Sequence, residues 1–168
     1  GASIVAFDHL YSGCGGTVPS TYWAYNTGGT VVTSPTLSGD GTQIAFVENI
    51  GSTANLVLLK WAASDTATVD NPVTLTAVSN AAYRACVAPC MTLLPFSGGG
   101  TKTDNHSSPF YDFEIGSDTI YVGDDGDHVR KFTGAFYGTP AEVVTGGFPV
   151  NLVGGNNATG PVYDAGSG

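Results

Sequence analysis

The chain has 168 residues, enough for one domain with a sizeable core, and its 42% hydrophobic content argues against disorder. Charged residues make up only 11%, against roughly 25% in an average domain. The net charge is -9 with five cations, Lys60, Arg84, Lys102, Arg130 and Lys131, which argues against nucleic-acid partners and anionic membrane surfaces.

Gly is frequent, and Thr and Ser separate short apolar runs, a composition that suits many short strands joined by turns. In chain order, Ser3–Phe7 reads as the first strand, and Gly13–Pro19, which holds Cys14, as a loop. STYWAYNTGG (Ser20–Gly29) reads as a strand ending in a glycine turn. After the turn at Gly39–Gly41, TQIAFVEN alternates, with Ile44 and Phe46 on one face and Ala45 and Val47 on the other. NLVLLKW is a nearly continuous apolar run, which suits a strand covered on both faces. Residues 62–72 read as a polar loop and VTLTAVS as a strand. NAAYRACVAPC is open between a loop and a single helical turn, and MTLLPF is a short strand.

The stretch from Ser108 to Phe136 reads as three short strands, SPFYDFE, TIYVGD and HVRKFTGAF, joined by two turns. The Asp-Gly within DDGD is a strong hairpin signal. FPVNLVGG is the last full strand before Gly160. No amphipathic helix of ten or more residues is found, and no apolar run nears the ~20 residues of a membrane-spanning helix. Residue 1 is Gly and no signal peptide is visible, so the chain reads as a mature or trimmed product.

A repeat decides the expected architecture. Ser34-Pro35, Ser108-Pro109 and Gly160-Pro161 each open a unit, at spacings of 74 and 52 residues. Propeller blades run about 40–50 residues, so the first spacing carries an insertion, assigned to residues 62–106. The stretches SPTLSGDGTQIAFVE and TIYVGDDGDHVRKFTG resemble WD40-like and PQQ-type (quinoprotein) β-propeller repeats, in which one strand ends in Gly-Asp and the next follows a tight turn. Through PSTYWAYNTGGTVVTSPTLS and YRACVAPC, the whole chain also resembles a group of secreted bacterial propeller proteins with no assigned activity.

The resemblance implies an all-β, β-propeller-type fold over residues 1–168, built from about three antiparallel meander blades with the last incomplete. It also implies a secreted protein, extracellular or at the cell surface. ASIVAF would follow PVYDAGSG as TIYV follows PFYDFEIGSD. The N-terminal strand is therefore expected to complete the unfinished blade, in its own chain or in another copy, unless the chain is part of a longer one.

Candidate chemistry is sparse. Cys86 and Cys90, in CVAPC, are expected to form a local disulfide, with two separate buried thiols as the alternative, and the odd count leaves Cys14 unmatched. Asp124, Asp125 and Asp127, with Asp118 nearby, offer carboxylates for Ca²⁺, the one cofactor considered. The alternative is a polar hairpin turn whose acids accept backbone N–H bonds. Tyr22, Trp23 and Tyr25 offer a stacking platform for sugar rings, against inter-blade packing. His9, His106 and His128 lack metal-site spacing and read as solvated turn residues. Asn105 and Asn157 stand in N-x-S/T sequons.

No G-x-S-x-G elbow or C-x-x-C pair occurs, and no catalytic residue is assigned. The expected role is a non-catalytic extracellular binding or scaffold module, self-assembling by strand complementation. The alternatives are a quinoprotein-like oxidoreductase fragment, weakened by the C-x-x-x-C spacing, and a carbohydrate-binding module.

Overall fold

The computed structural model describes residues 1–11, 13, 15, 19–98, 106–114, 116–152, 158–162 and 164. Cys14 and the sequon residues Asn105 and Asn157 lie outside them. The chain begins with strands β1 (Ile4–Asp8), β2 (Ser20–Asn26), β3 (Thr30–Val31) and β4 (Thr36–Leu37). A long hairpin follows, β5 (Gln43–Ile50) and β6 (Thr53–Lys60), then the short strands β7 (Val73–Thr74) and β8 (Ala77–Val78). A single helical turn, α1 (Asn80–Tyr83), precedes β9 (Cys90–Pro95). The last strands are β10 (Phe110–Asp112), β11 (Thr119–Gly123), β12 (His128–Thr133), β13 (Ala141–Val143) and β14 (Val150–Asn151).

These strands make three sheets. The first runs β1-β2-β7. The second runs β3-β5-β6-β9-β8, with β4 also on β5. The third runs β10-β11-β12-β13, with β14 also on β12. Among the described residues, no sheet closes on itself. Among the described residues, no helix is long and apolar enough to cross a membrane.

The second sheet is the middle layer, and the side-chain alternation explains why. Ile44, Phe46, Val57 and Leu59 pack with Trp23 and Tyr25 of the first sheet. Ala45, Val47, Leu56 and Leu58 pack with Tyr111, Ile120, Val122 and Phe132 of the third. The pairing of Ile44 with Leu59 and Phe46 with Val57 keeps each face uniform across the hairpin. Both faces are thus apolar, as the unbroken run in NLVLLKW requires.

The two repeated stretches fold alike. β4-β5-β6-β9 and β10-β11-β12-β13 are both antiparallel four-stranded meanders. Their openings touch, since the Ser34 amide donates to Ser108 Oγ at 3.1 Å. The third opening is beside them: a Cβ on Gly160 would stand 3.4 Å from the Ser108 carbonyl oxygen. Residues 62–106 contain β7, β8 and α1 as an excursion, and β9 as the fourth strand of the second sheet's meander.

One side chain ties the excursion to both larger sheets. Gln43 Oε1 accepts from Tyr83 Oη and Arg84 Nη2, each at 3.1 Å, while Gln43 Nε2 donates to the Phe136 carbonyl at 2.9 Å. Buried polar groups are tolerated when satisfied in this way.

Candidate functional site

The equivalent turns that follow β4 and β10 lie side by side. Each is organised by a carboxylate. In the first, Asp40 Oδ1 accepts from Ser38 Oγ at 2.6 Å, Thr42 Oγ1 at 2.9 Å and the Thr42 amide at 3.1 Å. The Ser38 hydroxyl, then the Thr42 amide, hold its pKa below the usual carboxylate value. In the second, Asp112 accepts from the Glu114 amide at 3.0 Å and from Ser117 Oγ at 2.7 Å, and these bonds lower its pKa likewise. Asp118 closes the turn by accepting the Phe136, Tyr137 and Gly138 amides at 2.8, 2.9 and 2.8 Å. Gly138 permits that approach, because a Cβ there would stand 2.8 Å from Gly134 Cα.

Between these turns is a cavity of about 420 Å³, lined by Gly39, Tyr111, Phe113, Glu114, Asp118 and Tyr137 among others. Its floor is Tyr111, only 4% exposed, while Phe113 and Tyr137 stand at its edges at 65% and 53%. The Tyr111 ring meets Phe113 and Phe136 edge-on, with centroids 4.8 Å away in each case. Tyr137 reaches the neighbouring turn, its hydroxyl 3.6 Å from where a Gly39 Cβ would be. Burial, then the charge of Asp118, the Tyr137 hydroxyl, and the charges of Asp112 and Asp40, push the Tyr111 pKa up to about 12.

The predicted acids do not form one cluster. Asp118 precedes β11 and Asp124 follows it, which separates them by about 20 Å at the rise of a strand. Asp124 belongs instead to a buried ionic network. Its Oδ2 accepts from Arg130 Nε at 2.6 Å, and Arg130 Nη1 donates to Glu142 Oε1, also at 2.6 Å. Arg130 Nη2 donates to the Gly98 carbonyl, and the guanidinium covers the Phe96 ring at 4.9 Å. Glu142 Oε2 in turn accepts the Ser97 amide and hydroxyl at 2.7 and 2.6 Å. This network staples the third sheet to the segment after β9, and each buried charge has its partner.

Asp124 Oδ1 also accepts the Gly126 and His128 amides at 2.8 and 3.1 Å, the turn-forming use of the acid. Asp125 and Asp127 are half-buried in that turn, and Asp127 takes a positive φ of 66°. Among the described residues, no group of three or more His, Cys, Asp or Glu side chains stands close enough to hold an ion.

The aromatic trio lies between sheets. Trp23 and Tyr25 are 5% and 1% exposed and stack on one another at 5.1 Å. Trp61 stacks on Trp23 at 6.5 Å and leans on Tyr22 at 5.4 Å. The Tyr25 hydroxyl donates to the Ala62 carbonyl at 2.8 Å. Cys86 and Cys90 lie at disulfide distance, with Cα atoms 6.3 Å apart.

Asp8 and His9 are neighbours in sequence, and the fold adds Ser20, which no local pattern announces. Asp8, His9 and Ser20 meet where β1 pairs with the start of β2. His9 Nδ1 is 2.9 Å from Ser20 Oγ and 3.0 Å from Asp8 Oδ1, and Ser20 Oγ donates to that same carboxylate. A hydrolytic triad needs acid and nucleophile on opposite ring nitrogens. Here both crowd Nδ1, which makes a polar clasp at the strand end. No family model matches the chain, and no curated protein or solved structure matches it.

Proposed function

We propose that this chain is a non-catalytic binding or scaffold module of the β-propeller type, working outside the cell. We further propose that it assembles with other copies of itself, or with the rest of a longer chain, by strand addition at β1. The observation that carries this reading is the row of unit openings at Ser34, Ser108 and Gly160. A propeller arranges its four-stranded blades around one central channel, so equivalent strands of successive blades become neighbours there. Two four-stranded meanders with touching first strands fit that arrangement.

β1 supports the assembly. It is the outer strand of the first sheet, and among the described residues no strand pairs with its other edge. Phe7 on this strand is 45% exposed. An open edge of backbone N–H and C=O groups is a template for a further strand. The Cys86–Cys90 pair supports an oxidising compartment.

Light scattering tests the assembly. The purified chain is expected to form particles at a multiple of its 17.1 kDa. Phe7→Lys, which places a charge on the β1 edge, is expected to return it to single chains. A parent that is strictly monomeric overturns assembly with other copies.

A further inference from the structure

We infer that the cavity between the Ser38–Thr42 and Asp112–Asp118 turns is a binding site for an organic ammonium cation, with Phe113 and Tyr137 as its aromatic walls and Tyr111 as its floor. This goes beyond the scaffold reading and does not depend on assembly.

The first argument is charge. Glu114 and Asp118 line the cavity, Asp40 and Asp112 organise the turns on its two sides, and among the described residues no Lys or Arg lines it. Lys131, the cation that acts on Asp112, does so as the smallest influence and sits against the Tyr121 and Phe148 rings at 5.8 and 5.5 Å. Asp40 and Asp112 stay ionised well into the acid range, since their turn bonds favour the charged form. The field at the cavity is therefore negative at neutral pH.

The second argument is what these carboxylates have left to give. Both oxygens of Asp112 and of Asp118, and one of the two of Asp40, are already engaged by turn amides and hydroxyls. Calcium requires about six to eight direct oxygen ligands. A sugar requires free acceptors for its hydroxyls. A tetraalkylammonium or alkylated lysine head group needs neither: it is weakly hydrated, makes no directional bonds, and is held by aromatic faces and net field.

The third argument is the floor. The Tyr111 side chain is more than nine-tenths buried and lines the cavity, and the described residues offer its hydroxyl no hydrogen-bond partner. The hydroxyl itself is not sealed in the interior, so this unpaired polar atom on an otherwise buried ring opens onto the cavity, where a ligand or its solvent shell can meet it.

The test is an amide-resolved NMR titration of the full chain with tetramethylammonium and choline, and with 3,3-dimethylbutan-1-ol as the uncharged isostere of choline. Saturable shifts at Gly39, Phe113, Gly116 and Tyr137 are expected at millimolar concentration, with the neutral isostere at least about tenfold weaker. Phe113→Ala, at an exposed position, is expected to weaken choline by about 3- to 30-fold, the span of a cation–π contact. Nα-acetyl-trimethyllysine methylamide then separates the two sources. Tighter binding than choline assigns the site to a peptide side chain, and equal or weaker binding assigns it to a free amine. Equal binding of the neutral isostere, absence of saturation, or displacement of tetramethylammonium by micromolar Ca²⁺ overturns the inference. None of these readouts depends on particle mass, so this site and the assembly fail or stand separately.

Discussion

Glu48 has no exposed surface, and its carboxyl is met by Thr27 Oγ1 at 2.5 Å and the Gly29 amide. Burial pushes its pKa above the ordinary 4.5. An acid whose folded pKa exceeds its unfolded value binds its proton more tightly when folded. Its contribution to stability is therefore present below pH 4.5 and is lost as pH rises through the folded value. Asp40 and Asp112 act in the other sense: their pKa values are held below 3.8, so the stability they add is lost as pH falls below that point. Glu48→Gln removes the charge that burial opposes. The variant is expected to melt above the parent at neutral pH and to lose that advantage at pH 4.5. Thermal melts at the two pH values check this, and an equal offset at both contradicts it. In the sequence, Glu48 reads only as the acid that ends IAFVE. Its burial depends on Gly29, where a Cβ would come within 2.7 Å of Glu48 Cδ, and no local pattern announces that contact.

At the scale of elements, α1 and the residues after it form a compact cap on the second sheet. Ser79 caps the helical turn by accepting the Ala82 amide at 3.3 Å. Lys60 Nζ donates to the Arg84 and Cys86 carbonyls at 2.9 and 3.1 Å, where Cys86 joins Cys90 at the start of β9. The two cysteines are separated by four in sequence, a short loop whose closure contributes about 2 kcal/mol in the chain-entropy account. Reduction is expected to lower Tm by about 4–8 °C, measured by calorimetry with and without reductant, and an unchanged Tm contradicts it. The longer strands were legible because their neighbours in space are their neighbours in sequence. Alternation in β5 and the apolar run of β6 follow directly from the two covered faces. VTLTAVS instead divides into β7 and β8, which pair in parallel with β2 and β9 in different sheets. Parallel partners are set by tertiary contacts, which local pattern does not carry. Among the described residues of FPVNLVGG, the strand is β14, two residues just after Pro149, which has no amide hydrogen to donate.

For the whole molecule, the sequence pointed to a dense run of acids, whereas the cavity draws on residues 39, 111, 113, 114, 116–118 and 137. Only the repeat connects those positions, by setting equivalent turns side by side. DDGD drew attention through its local carboxylate count, yet its first acid serves Arg130. The layering has a consequence for how the chain breathes. β5 and β6 lie between two apolar clusters and are paired along eight residues, so their amides can be released to solvent only by separating all three layers. Their deuterium uptake should trail that of β1 and β14 by orders of magnitude and report the opening energy of the entire fold. Mass-resolved exchange in which the β5–β6 hairpin labels as early as the outer strands would show instead that the layers part independently.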